Sequence, residues 1–178
     1  MNYPTSEPIP LTGLNGIDAM TTGYLWNLDR NKTIKWAIAD GFDGEYWIDP
    51  YSVRDNLSSL FQMIGYFIDV DFQYSGYWAD PVHAYNSGSD LTISISNTGP
   101  TGAFASPYTW AIGFFPSSEF NYYPGQPGDV FLNIDSPANN LDFYPGTAGY
   151  ALAIHEVGHA LGLKHPHDDG STGRPTYN

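Results

Sequence analysis

Residues 155–165 read His-Glu-Val-Gly-His-Ala-Leu-Gly-Leu-Lys-His. Imidazoles four positions apart lie on one face of a helix, close enough to hold a single ion, so His155 and His159 form a natural metal pair. Glu156 follows the first of them directly. Its carboxylate can reach a water activated by that metal without itself being a ligand, which is the arrangement hydrolysis needs. Gly162, three residues after His159, can take the left-handed conformation that stops a helix and turns the chain. His165 can then swing back as a third ligand. Three neutral nitrogens with a fourth position open describe a catalytic zinc site, because a structural zinc is enclosed and usually carries thiolates, and the chain has no cysteine. The expected chemistry is hydrolysis with Zn2+ as cofactor, held by His155, His159 and His165, and with Glu156 as general base.

Continued by Pro166, this run resembles the metzincin signature of zinc endopeptidases. With the proline directly after the last histidine it is similar to the serralysin branch, the secreted bacterial proteases that carry calcium-binding repeats. Gly128-Asp129-Val130-Phe131-Leu132-Asn133 resembles the last strand before that family's active-site helix, and Gly173-Arg174-Pro175-Thr176-Tyr177-Asn178 resembles its stretch leading to the Met-turn. The likeness is weak over residues 1–120 and sharp over 128–178. It implies a metzincin-like α/β (α+β) catalytic domain: a twisted mixed sheet of about five strands with two long helices. It also implies a protein or peptide substrate, a site that would admit a proteinaceous inhibitor, a monomer, and export to the extracellular space by a C-terminal signal.

In that family the edge strand above the zinc receives the substrate as an added strand. Ala111, Ile112, Gly113, Phe114 and Phe115 are the candidates for such backbone recognition, with a plain sheet edge as the alternative. The family also has a Met-turn under the zinc, and a tyrosine after its methionine that serves as a further, movable ligand. The sequence stops at Asn178, ahead of both, so the chain is expected to be a fragment whose C-terminal subdomain is missing. Calcium (Ca2+) is expected only in a C-terminal repeat region absent from this sequence. His167 stands where the family usually has a small residue and is read as a solvent-facing loop histidine. Asp168 and Asp169 are read as solvated carboxylates, the alternatives being a hydrogen bond to a metal ligand or calcium binding.

The elements that must position these residues follow from periodicity. Ile34, Trp36 and Ile38 alternate as in a half-buried strand over residues 33–40. Asp49-Pro50 supplies a cap and a first-turn proline, and Val53, Leu57, Leu60, Phe61, Ile64 and Ile68 fall at helical spacing over 51–68. Val70, Phe72 and Tyr74 make a second strand, Leu91, Ile93 and Ile95 a third, residues 111–115 a short edge strand, and Val130, Leu132 and Ile134 the last. Pro145-Gly146-Thr147 opens a helix over 147–162, on which Ile154, Val157 and Leu161 are expected to pack inward. Residues 1–25, rich in Pro, Gly, Thr and Ser, read as an extended arm leading into a domain over 26–178.

Composition sets the outer limits. Hydrophobic residues at 42% and aromatics at 16% are too many for intrinsic disorder, and 178 residues suffice for one domain with a substantial core. Six basic against 19 acidic residues, a net charge of −13, argue against nucleic acid as a partner. No run approaches the roughly 18 apolar residues needed to span a bilayer, and the first residues lack the basic and apolar regions of a secretory signal. Two other classes compete with the peptidase: a zinc-binding or inhibitor-binding fragment without catalysis, and a polysaccharide-binding module suggested by 14 tyrosines. Tyrosine-rich β structure has ordinary packing explanations, so the peptidase reading leads.

Overall fold

Strand periodicity becomes a five-stranded sheet. The computed structural model describes residues 2–100, 109–119, 121–135, 143–168 and 173–177. In chain order its elements are β1 (Tyr3–Pro4), α1 (Asn15–Met20), β2 (Trp26–Asn27), β3 (Thr33–Ala39), α2 (Pro50–Ile68), β4 (Asp71–Trp78), α3 (Pro81–Asn86), β5 (Leu91–Ser96), β6 (Ala111–Gly113), β7 (Val130–Asn133) and α4 (Ala148–Ala160). The sheet order is β4-β3-β5-β7-β6. Its first four strands are parallel, and β6 runs antiparallel to β7 at the edge. This is the mixed α/β architecture expected, with α2 and α4 as the two long helices.

Helix α2 starts where the sequence places it: the Asp49 carboxylate accepts the Ser52 amide at 3.0 Å and Pro50 opens the first turn. Val53, Leu57, Leu60 and Phe61 are buried, with the Phe61 ring 4.6 Å from Trp36. Each such side chain contributes about 1.5–3 kcal/mol by leaving water. Helix α3 begins with the same signal, Asp80-Pro81, and Asp80 accepts the His83 amide at 2.8 Å. Six residues are too few for an apolar period, which is why this helix was not expected. All six residues of β5 are buried, as suits a core strand, although Thr92, Ser94 and Ser96 alternate with its apolar residues. Its hydroxyls find partners instead of water: Ser94 Oγ donates to Asp40 O at 2.7 Å and Ser96 Oγ to the Glu45 carboxylate at 3.2 Å.

The inward face of α4 departs from expectation. Val157 is fully buried and Leu161 is half-buried against the core, but Ile154 is 37% exposed. The buried row is Gly149, Ala153, Val157 and Ala160. Small residues on that row let the helix axis approach the sheet, which rotates Ile154 outward. Trp26 Nε1 donates to Ala160 O at 3.0 Å and ties the end of the helix to β2.

Residues 1–25, read as an extended arm, contain α1 and are sewn to the other end of the described chain. Met20 O accepts the Lys164 amide at 3.0 Å, and both the amide and the hydroxyl of Thr22 donate to Gly162 O, at 2.8 and 3.0 Å. The buried Arg174 guanidinium donates to Ile9 O at 2.7 Å and Thr21 Oγ1 at 3.0 Å, and pairs with buried Asp18 at 3.4 Å. Gly23, with φ of 90°, leaves the room this needs, since a Cβ there would lie 2.5 Å from Arg174. The Thr12 amide, aided by the Thr12 hydroxyl, the Gly13 amide and Arg174, holds the Asp18 carboxyl below its ordinary value against the effect of burial. A carboxyl lowered in the folded state stabilises fully above its unfolded pKa, and that contribution is lost as pH falls through the folded one. The Tm difference between wild type and Asp18→Asn should therefore be largest near neutrality and shrink below about pH 4; a difference constant with pH in thermal melts would contradict this role.

Candidate metal centre

Thr147 caps α4 by accepting the Tyr150 amide at 3.3 Å, and the helix carries His155 and His159 one turn apart. It ends in a Schellman motif: the Leu163 amide donates to Gly158 O at 2.9 Å and the Gly162 amide to His159 O at 2.9 Å. Gly162 has a φ of 100°, and a Cβ there would lie 2.5 Å from Tyr24 O, so both the turn and the close approach require glycine. This reversal brings back His165. Its Nε2 lies 2.9 Å from His155 Nε2, and His159 Nε2 lies 3.2 Å from the same atom. One nitrogen from each ring falls within a 4.8 Å cluster.

The ring tautomers follow from the outer partners. His159 Nδ1 is 2.8 Å from Leu163 O, a carbonyl that can only accept, so Nδ1 carries the hydrogen and Nε2 a lone pair. His165 Nδ1 stands 2.8 Å from Asp168 Oδ2, which assigns its hydrogen in the same way. Burial pushes both His155 and His159 below their ordinary pKa, and the neighbouring rings add to this. The Nε2 atoms of His159 and His165 thus both face His155 Nε2, which can donate to only one. Three imidazoles with converging nitrogens fit zinc, for which Zn–N distances of about 2.1 Å place tetrahedral ligand nitrogens roughly 3.4 Å apart.

Glu156 is 6% exposed on the adjoining face of α4, next to β6. Burial raises its carboxyl to about 7, opposed by the amide of Gly113; a divalent cation alongside would lower that value again. With His155 it lines a cavity of about 540 Å³ whose other walls include Trp110, Ala111, Ala151 and Leu152.

The edge-strand candidates divide by the pleat. Trp110 and Phe114 direct their backbone groups at β7: Trp110 O accepts from Asn133, Phe114 donates to Asp129 O, and Phe114 O accepts from Gly128. The backbone groups of Ala111 and Gly113 consequently point away from the sheet. Ile112 is half-buried in register with Phe131, and the Phe114 ring packs edge-on to Phe131 at 6.2 Å. Phe115 stands edge-on to the His159 ring at 5.6 Å.

Beyond the third histidine, the Asp168 carboxylate meets His165 Nδ1 at 2.8 Å, the alternative to simple solvation that the sequence leaves open. The i,i+3 spacing was the available signal, and a loop gives no rule for facing such as a helix gives. His167 is exposed as expected, its ring stacked on His165 at 5.3 Å. Asp169 lies outside the described residues.

A helix carrying a histidine pair, a third histidine beyond a glycine turn, and a mixed sheet with one antiparallel edge strand define a metzincin-type zinc metallopeptidase. The chain matches the profile of the M10 peptidase family Matrixin over residues 28–178 and belongs to that family, whose members are zinc-dependent metalloendopeptidases. No curated protein matches the chain.

The closeness of α4 to β6 can be probed directly. A Cβ on Gly113 would lie 2.3 Å from Glu156 O and 3.1 Å from His159 Cβ. Gly113→Ala should force the edge strand off the helix and cost about 1–3 kcal/mol of stability, as overpacking does. Chemical denaturation showing no loss would mean that strand and helix are not in this contact.

Proposed function

We propose that the chain is a serralysin-like zinc endopeptidase in which His155, His159 and His165 hold Zn2+ and Glu156 is the general base. The single observation that carries this reading is the convergence of three imidazole nitrogens beside a buried carboxylate. Zinc, when bound, supplies a Lewis acid that polarises the scissile carbonyl and acidifies water. The Glu156 carboxylate takes the proton of the attacking water and passes it to the departing amine nitrogen. Leu163 O and Asp168 keep the ring orientations of His159 and His165.

An extended peptide is the substrate that suits β6, because the outward backbone groups of Ala111 and the carbonyl of Gly113 offer an edge for strand addition. The cavity beside His155, walled by Trp110, Ala111, Ala151 and Leu152, favours an apolar side chain next to the cleaved bond. Ile112, Phe114 and Phe115 support that edge from within, and a proteinaceous inhibitor would enter along it in the same extended form. Pro166, directly after the third histidine, favours the serralysin branch within the family. An extracellular location follows from the same reading and agrees with family members being typically extracellular. Among the described residues no helix is long and apolar enough to cross a membrane.

Glu156→Gln should retain zinc while casein cleavage falls at least about 100-fold; retained cleavage would remove Glu156 from this role. Chelation should abolish wild-type activity and added zinc restore it, whereas stable zinc binding without turnover would favour a non-catalytic zinc-binding chain. Asp168→Asn should weaken zinc roughly 10–100-fold, read by competition with a chromophoric chelator. Unchanged affinity would show that the carboxylate does not support His165.

A further inference from the structure

Lys164 precedes the third histidine and is only 3% exposed, unusual for a lysine. Among the described residues no carboxylate pairs with it. Its ammonium instead donates to three backbone carbonyls: Asp168 O at 2.6 Å, His165 O at 3.2 Å and Pro175 O at 3.4 Å. Three donors meeting three acceptors satisfy the group completely. The acceptors are also informative in themselves. One belongs to the residue bearing the third imidazole and one to the residue whose carboxylate fixes that imidazole's Nδ1. The same turn is closed by the Asp168 amide donating to His165 O at 3.1 Å, so carbonyls of its first and last residues both face the ammonium. The third acceptor anchors the turn to the segment after Arg174. On that side the Tyr177 amide donates to Pro166 O at 2.8 Å.

We propose that Lys164 is a positioning residue for the metal centre: its ammonium holds the 165–168 turn in the shape that aims His165 Nε2 at His155. The inference rests on the zinc reading above. Carbonyl oxygens gathered in one place repel, and without a cation among them the turn would open toward water. His165 would then lose either its direction or its Asp168 partner. A cation is suited to this because every other donor type brings fewer hydrogens or a planar fork that three non-coplanar oxygens cannot all meet. The α4 pair, His155 and His159, does not depend on the turn, so loss of Lys164 should leave a two-histidine site.

The test uses the whole chain with Lys164→Met, which keeps length and removes the donors. Zinc affinity is measured by chelator competition, and the visible spectrum of the Co2+-substituted protein reports the ligand set. Affinity should fall at least about tenfold, with a changed Co2+ spectrum. In a His165→Ala background the same substitution should cause no further loss. Wild-type affinity and spectrum in Lys164→Met, or an equal loss in both backgrounds, would overturn the proposal. Should Lys164→Met fail to fold, Lys164→Gln is measured identically; failure of both would make the ammonium a general determinant of the fold and overturn its specific role. A wild-type chain that binds no zinc would instead overturn the zinc reading and this inference with it, whereas zinc-binding wild type with an indifferent Met variant sinks the inference alone.

Discussion

His159 and His165 each direct an Nδ1 hydrogen at an oxygen, Leu163 O and Asp168 Oδ2, and so turn their Nε2 atoms toward His155. Lone pairs brought within 2.9 and 3.2 Å of one nitrogen repel unless something positive lies among them. That convergence is held by scaffolding on all sides. A helix supplies two of the rings at no extra cost in shape, since i and i+4 already face one way. The third must come from a chain that has reversed, and a reversed loop has no intrinsic preference for one geometry. The structure around residues 162–168 can be understood as the means of imposing one.

Two segments share that task. Residues 20–22 bond to Gly162 and Lys164 from one side, and residues 174–177 bond to the 165–168 turn and to α1 from the other. The N-terminal segment thus belongs mechanically to the centre. On the opposite flank, Gly113 and the small residues Gly149, Ala153 and Ala160 allow α4 to lie close to the sheet. Closeness there brings Glu156 against the backbone of β6, so the carboxylate, the histidine pair and the strand edge are parts of one packing arrangement.

What the sequence disclosed and what it withheld separate along contact range. The histidine spacing, the α2 period and cap, the alternation in β3 and β5, and the turn at Gly162 are local, and each is found where local rules place it. Ile154 was misjudged because a helical period gives the existence of an apolar stripe but not its exact rotation when alanines and glycines can occupy it. The platform formed by Asp18, Thr22 and Arg174 has partners 140 to 165 positions apart, and such pairs leave no trace in periodicity. Lys164 and Asp168 sit inside the motif itself, yet their partners are loop carbonyls and a ring nitrogen, whose facing depends on a turn that only the folded chain defines.

Electrostatics gives the arrangement its balance. The chain has only six basic residues, and two of them, Lys164 and Arg174, are buried beside this turn. Burying a cation is costly unless its hydrogens are all met, and the two meet theirs differently. Arg174 pairs with the Asp18 carboxylate, so the latch between α1 and the C-terminal segment is neutral. Among the described residues Lys164 has carbonyls alone, and its charge on the His165 turn would by itself oppose a second cation nearby. The carboxylate of Asp168 lies on that same turn and contacts the His165 ring rather than the ammonium. One negative and one positive group in a single short turn leave it close to neutral overall, with the negative end toward the histidines. The polarity of the turn, as much as its shape, therefore suits it to stand beside a divalent ion.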